Sequence, residues 1–297
     1  MSTPTLPTGQ GGMSRAGKAA GAGRTARGAA PVPALVPTWA VRLKPLPMPD
    51  WLDEAAALAG RYLLTDDGTP LTARLASLLV DHGRAVTVLS CVPVPGGADT
   101  VRPAGVEWIA LPDGAFDVGS AVGPEMGAGA GGGPGLTEAS SFTEQHLARV
   151  VADLTARHGR IANVVHLSPP AGRSADPFSV HDAAMVRRVF GLAGLLQRSL
   201  TEAAVYGTAR FVTVSRLDGL LGQSGDGGSS PLVGGLAGLV RSVDAAWPAV
   251  WCRAIDIAPS VSAVEAARLI LAELHDPSRL VTEVGHGPAG RVTLVGA

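Results

Sequence analysis

The chain has 297 residues, a formal net charge of −1, and 16% charged against 46% hydrophobic residues. A core of useful size fits that composition, in one large domain or two small ones, and a strongly basic nucleic-acid binder is excluded. No window approaches the roughly 18 uninterrupted apolar residues of a membrane span, and Met1 to Gly12 holds no charged region leading into an apolar core, so no secretory signal is read and a cytoplasmic location is expected.

Residues 1–37 contain Arg15, Lys18, Arg24 and Arg27 and no acidic residue, among many Gly, Ala, Pro, Ser and Thr. Such a segment cannot bury enough surface to order itself and reads as a disordered leader or linker. Thr38 to Asp50 carries Val-Arg-Leu-Lys-Pro-Leu-Pro-Met-Pro, whose proline spacing favours an edge strand or a polyproline segment.

An alternation of strands and helices begins at Arg61. Tyr62 to Thr65 is a predicted strand ending in Asp66-Asp67-Gly68, Leu71 to His82 an amphipathic helix closed near Gly83, and Ala85 to Leu89 the next strand. Val106 to Leu111 makes a third, followed by Asp113 to Gly135, a Gly/Ala-rich stretch with few apolar anchors that reads as a long mobile loop. Ser141 to His158 resumes as helix, Ile161 to Leu167 as strand, and Asp182 to Tyr206 as a long helix. Phe211 to Val214, Leu232 to Ala246 and Val250 to Ile257 then form a strand–helix–strand crossover. Helix Val264 to His275 and short strands at Leu280 to Val284 and Arg291 to Val295 complete the chain. Six or seven strands joined mainly by helical crossovers specify an α/β fold, a Rossmann-like doubly wound parallel sheet, over residues 38–297.

In that fold ligands sit at the carboxyl ends of the strands. The first such end, Thr65-Asp66-Asp67-Gly68-Thr69-Pro70-Leu71, keeps one glycine where a dinucleotide loop needs several, and it places two carboxylates toward the phosphate position. Gly127-Ala-Gly129-Ala-Gly131-Gly132 matches a dinucleotide pattern only in spelling, because no strand precedes it and no helix follows directly. Cys91 and Cys252 read as small apolar strand residues, with neither a disulfide framework nor a zinc site. The seven histidines show no metal-ligand spacing and are read as surface or strand-end residues; His166 alone falls near the expected cleft, without a partner motif. Gly222-Gln-Ser224-Gly225 lacks the spacing of a nucleophile elbow.

The segments Trp39-Ala-Val-Arg-Leu-Lys-Pro-Leu-Pro, Phe211-Val-Thr-Val-Ser-Arg-Leu-Asp-Gly, Pro231-Leu-Val-Gly-Gly-Leu-Ala-Gly-Leu-Val-Arg-Ser, Trp247-Pro-Ala-Val-Trp-Cys-Arg-Ala-Ile-Asp-Ile-Ala-Pro, Ala272-Glu-Leu-His-Asp-Pro and Glu283-Val-Gly-His-Gly carry a resemblance. From about Thr38 onward the chain resembles the first half of the ketoreductase region in type I polyketide synthases, most closely the iterative, polyunsaturated-fatty-acid-synthase type. The resemblance implies a degenerate short-chain-reductase fold: a structural half that has lost its cofactor loop and its Tyr and Lys, followed in the family by a catalytic half that binds NADPH. Ser215 stands where active short-chain reductases carry the catalytic serine, but Ser229 and Val233 stand where the tyrosine and lysine should be. Neither can protonate a carbonyl oxygen or lower the pKa of a proton donor. Trp247, Trp251, Arg253 and Asp256 read as core packing plus one ion pair.

No catalytic, cofactor-binding or metal residue is therefore assigned, and NADPH is expected only in the partner catalytic half. Three readings follow. The favoured one is a non-catalytic scaffold subdomain that orders a ketoreductase catalytic half. The others are a free-standing short-chain reductase with an atypical site, and a module that holds an acyl chain or an acyl carrier protein around Gly222 to Ser230.

Overall fold

The computed structural model describes residues 40–49, 60–90, 102–111, 135–170, 178–225 and 230–296, without the side chains of 135–144. Residues 1–37, nearly all of the expected 113–135 loop, Cys91, the Gly127 to Gly132 run and Ser229 lie outside the described residues.

Strands β1 (Val41–Pro45), β2 (Arg61–Thr65), β3 (Val86–Ser90), β4 (Val106–Ala110), β5 (Ile161–Leu167), β6 (Arg210–Ser215), β7 (Trp251–Ile257), β8 (Glu283–Gly287) and β9 (Gly290–Gly296) form one sheet among the described residues, in the order β1-β9-β8-β7-β6-β5-β2-β3-β4. The seven from β4 to β8 pair in parallel. β9 then hairpins back antiparallel onto β8, and β1 closes that edge antiparallel to β9. The strand order reverses beside β2 and β5, the switch point at which doubly wound sheets open a ligand crevice.

Helices α1 (Pro70–Asp81) and α5 (Ala263–His275) cover one face; α2 (Gly135–His158), α3 (Val180–Tyr206) and α4 (Pro231–Ala246) cover the other. Alternation along the strands divides the core accordingly. Leu63, Phe211, Cys252 and Ala254 point toward α2, α3 and α4, whereas Tyr62, Leu64, Val212, Val214, Ile255 and Ile257 point toward α1 and α5. Fully burying a side chain such as Phe211 or Leu64 stabilises the fold by roughly 1.5–3 kcal/mol. Trp247 is buried edge-on against Phe211, with ring centroids 6.2 Å apart.

Several boundaries differ from the sequence expectation. α2 starts at Gly135 rather than Ser141, so the polar Thr-Glu-Ala-Ser run that periodicity cannot assign is helical. The strand expected at Leu280 to Val284 lies at Glu283–Gly287, with Leu280 96% exposed. Its glycines are the reason. The backbone of Gly219 lies so close to β8 that a Cβ on Gly285 would sit 2.4 Å from the Gly219 carbonyl oxygen, so the pairing stretch has to be glycine-bearing rather than apolar.

Among the described residues, an extended buried polar network joins α5 to the neighbouring strands β7, β8 and β9. Arg253 on β7 is fully buried, its guanidinium 4.4 Å above the Trp251 ring, and its Nη1 donates to Glu273 at 2.6 Å and to Asp276 at 2.9 Å. Arg291 on β9 donates to Glu273 through Nε at 2.7 Å and through Nη2 at 2.9 Å, to Asp276 at 2.7 Å, and to the carbonyl of Pro47 at 3.0 Å. His286 Nε2 lies 2.8 Å from Glu273 Oε1, the oxygen that also accepts from Arg291 Nε. Two guanidinium groups thus face two carboxylates. The single ion pair expected for Arg253 is a network instead, and Asp256 takes no part in it. His275 is neither a surface nor a strand-end residue but is buried at the end of α5, whereas His286 is a strand-end residue, buried near the end of β8.

Burial pushes the Glu273 carboxyl up, but the hydrogen bonds from His286 and Arg291 and the charge of Arg253 outweigh it and hold it at about 2, below its ordinary 4.5. The unfolded chain therefore takes up that proton first. The stability Glu273 contributes is present above pH 4.5 and is lost as pH falls toward about 2. Glu273→Gln is expected to cost about 3–5 kcal/mol at neutral pH, by leaving a buried cation unpaired. It should also flatten the dependence of the denaturation midpoint on pH below 4.5, measured by chemical denaturation across pH.

Gly219 provides a second test. Its φ is +72°, and an added Cβ would lie 2.3 Å from the His286 carbonyl oxygen. Gly219→Ala should destabilise by roughly 2–6 kcal/mol, the sum of backbone strain and overpacking. Gly234→Ala in α4, where a Cβ meets nothing within 4 Å, should stabilise by about 0.5–1 kcal/mol. Thermal unfolding of the two variants should move in opposite directions.

Candidate functional site

The carboxyl end of β2 is where a doubly wound fold presents backbone N–H groups to a phosphate. Here each of them is already engaged. Asp66 donates to the Leu89 carbonyl at 2.8 Å, and Asp67 to Thr72 Oγ1 at 3.1 Å. Gly68 donates to Asp66 Oδ1 at 2.9 Å, Thr69 to Asp67 Oδ1 at 3.0 Å, and Leu71 to Thr69 Oγ1 at 3.2 Å. Pro70, in the first turn of α1, has no N–H. The two carboxylates do not simply face the phosphate position, as their sequence placement suggests. Asp67 is 3% exposed and turns inward to accept from Thr69 and Thr72, and Asp66 also accepts from Ser90 Oγ at 2.8 Å. Burial raises the Asp67 pKa against the pull of these hydrogen bonds.

The loop after β6 is built in the same way around Asp256, at the end of β7. Asp256 is 1% exposed. Its Oδ1 accepts from Leu217 N–H at 2.8 Å and Ser215 Oγ at 3.3 Å; its Oδ2 accepts from Gly219 at 2.8 Å, Leu221 at 3.0 Å and Asp218 at 3.4 Å. Asp218 in turn accepts from the N–H groups of Leu220 and Gly222 at 2.8 Å and Ser224 at 2.9 Å, and Gln223 donates to the Leu220 carbonyl. Leu221 holds a φ of 60° to complete the wrap, a strained position for a branched side chain. Burial pushes Asp256 up to about 6, with Asp218 beside it adding to the rise. Burial acts upward on Asp218 as well, but its backbone donors prevail and hold it at about 2.

Ser215 therefore spends its hydroxyl on Asp256 and on the Ile255 carbonyl, 3.5 Å away. It shares a depression of about 220 Å³ with Val233, which is 3% exposed and packs in the core. The structure thus brings Ser215 and Val233, the residue expected at the lysine position, to one place, and Val233 supplies no cation. No backbone N–H between Leu217 and Ser224 is left to stabilise an oxyanion. Spacing alone gave no sign of this, since the carboxylate that closes the loop lies 38 residues beyond Asp218.

A second cleft opens at the switch point, a cavity of about 400 Å³ at the ends of β2, β3 and β5 beneath α2 and α3. His166 lines it, as its place at the end of β5 suggests. Its Nδ1 lies 2.8 Å from Thr65 Oγ1 and its Nε2 3.3 Å from Ser168 Oγ, and burial, with the Arg188 charge, pushes its pKa down to about 3. It is a neutral hydrogen-bonding group there, not a proton shuttle at physiological pH. The other cavity-lining histidine, His181, is exposed. Cys252 is a free, buried thiol pushed up to about 12 by burial, an inert core residue. Among the described residues no group of three or more His, Cys, Asp or Glu side chains could hold a metal ion, and no helix is long and apolar enough to cross a membrane.

No protein-family model matches the chain, and no curated protein matches it in sequence. Solved structures do match in fold. An apo SCOR enzyme from Clostridium thermocellum superposes with a TM-score of 0.52 at 11% identity, over 75% of this chain and 88% of that one. A metagenomic short-chain oxidoreductase in complex with NADP gives 0.51 at 17% identity, over 77% and 96%. An NADH-dependent reductase complexed with NAD gives 0.51 at 15% identity, over 74% and 90%. The chain therefore has the Rossmann-like fold of the short-chain oxidoreductases, built around a β2–α1 turn whose backbone donors are all internally engaged.

Proposed function

We propose that this chain is the non-catalytic structural half of a β-ketoreductase in a polyketide or polyunsaturated fatty acid synthase. In this reading it packs against and orders an NADPH-dependent catalytic half that reduces β-ketoacyl thioesters. The observation that carries the reading is the β2–α1 turn: from Asp66 to Leu71 every backbone N–H is bonded internally or absent, so a dinucleotide phosphate would have to displace two carboxylates to bind.

The outer faces of α3 and α4 support a packing role. Gly194, Gly234, Gly235 and Gly238 are exposed helix-interior glycines, and an added Cβ at any of them would meet nothing within 4 Å. Each costs about 1 kcal/mol relative to alanine, and nothing in the packing of the described residues requires them. Phe190, 68% exposed, stands on the same outer face of α3. Bare backbone beside an exposed aromatic suits a close helix–helix contact, within an intra-chain domain interface of roughly 600–1,500 Å².

Titration calorimetry of the chain with NADPH should give no heat of binding up to about 1 mM, and a micromolar dissociation constant would overturn the reading. Co-expression with the cognate catalytic half should raise that half's solubility and its NADPH-dependent reduction of a β-ketoacyl thioester. Gly235→Leu should weaken the pairing at least about tenfold while the chain itself stays folded. Ser229→Ala should leave turnover unchanged. A catalytic half equally active alone would refute the scaffold role.

A further inference from the structure

The cavity at the ends of β2, β3 and β5 is not explained by a scaffold role. At about 400 Å³ it is far larger than the water-sized voids of close-packed interiors and falls within the roughly 300–1,000 Å³ of small-molecule pockets. Leu89, Leu111, Leu147, Met185, Val189 and Leu192 contribute its apolar walls, drawn from the sheet and from both covering helices. Each is less than a tenth exposed, so the walls are recessed rather than displayed on the surface.

The polar lining falls in two groups: Ser179, His181, Asp182 and Arg188 at the start of α3, and Thr65, Asp66 and His166 at the strand ends. Thr65 and His166 stand there hydrogen-bonded to each other, with a neutral imidazole. The charged lining groups are the carboxylates of Asp66 and Asp182 and the guanidinium of Arg188, a balance that disfavours an anion. The phosphates of a nucleotide would also find no free backbone donor at the adjoining β2–α1 turn.

We propose that this cavity binds an uncharged, mainly apolar small molecule, held by its apolar walls. Occupancy does not depend on the scaffold reading, because it rests on the apolar walls from the sheet, α2 and α3 rather than on the N–H groups of the β2–α1 turn. The probe for the test is N-phenyl-1-naphthylamine, a neutral fluorophore, titrated into the full chain.

Saturable fluorescence enhancement with one site per chain is expected, together with a concentration-dependent rise in the thermal unfolding midpoint. The anionic analogue 1-anilinonaphthalene-8-sulfonate should bind at least about tenfold more weakly, which needs no variant to measure. Val189→Trp, which fills the cavity, should weaken the neutral probe at least about tenfold, and Phe190→Ser, on the outer face of the same helix, should leave its affinity unchanged. Unsaturable binding, equal or tighter binding of the sulfonate, or loss of affinity in Phe190→Ser with retention in Val189→Trp would each overturn the assignment.

Discussion

A buried carboxylate at a strand end must be satisfied by donors, and in this protein that requirement shapes both loops where a short-chain oxidoreductase would work. Asp256 draws Leu217, Asp218, Gly219 and Leu221 around itself. To bring those N–H groups onto one side chain the loop takes a left-handed turn at Gly219 and a strained one at Leu221. The same turn presses the Gly219 carbonyl against β8, so Gly285 in turn cannot carry a side chain. One carboxylate thereby sets the conformation of a loop, the register of a strand and the shape of the depression that contains Ser215. At the β2–α1 turn Asp66 and Asp67 act alike. In both places carboxylates of the chain itself engage the N–H groups of a strand-end loop and thereby order it.

The β7–β9 side of the sheet, where it packs on α5, relies on buried charge as well, but there cations are matched to carboxylates. Removing either side would leave uncompensated charge in the interior, a much larger loss than the pairs contribute as a set. Trp251 fits this arrangement from two directions. Its ring lies beneath the Arg253 guanidinium, and its indole N–H donates to the Ser278 carbonyl at 3.1 Å, next to the Ser278 carbonyl's contact with Arg253.

Much of the architecture was legible in the chain. β-branched runs at Ile161 to Leu167 and Val250 to Ile257 and the three-and-four spacing of the helices mark their elements because burial on a sheet or beneath a helix imposes those periods. The lone glycine of Thr65-Asp66-Asp67-Gly68 signals a turn unsuited to phosphate. What sequence could not supply is the long-range pairing: that Arg253 answers to Glu273 and Asp276, that Asp256 answers to backbone, and that β8 begins at Glu283. Those outcomes depend on contacts between distant residues, and local hydrophobicity even misdirects at Leu280, an apolar residue left in solvent. The 400 Å³ cavity has no sequence signature either, because its walls are ordinary core leucines and valines until the helices are placed over them.

The contact between Arg291 and the Pro47 carbonyl spans 244 positions. Contacts between residues so far apart in sequence tend to form late in folding. Until β9 arrives, Glu273 and Asp276 lack the second guanidinium, with Arg253 and His286 as their partners among the described residues, and β1 lacks its antiparallel neighbour. A chain growing from a ribosome could therefore assemble the parallel centre of the sheet while the α5 side stays electrostatically unfinished. Completion of the buried charge network and closure of the β1 edge become one event, set by the synthesis of the last strand.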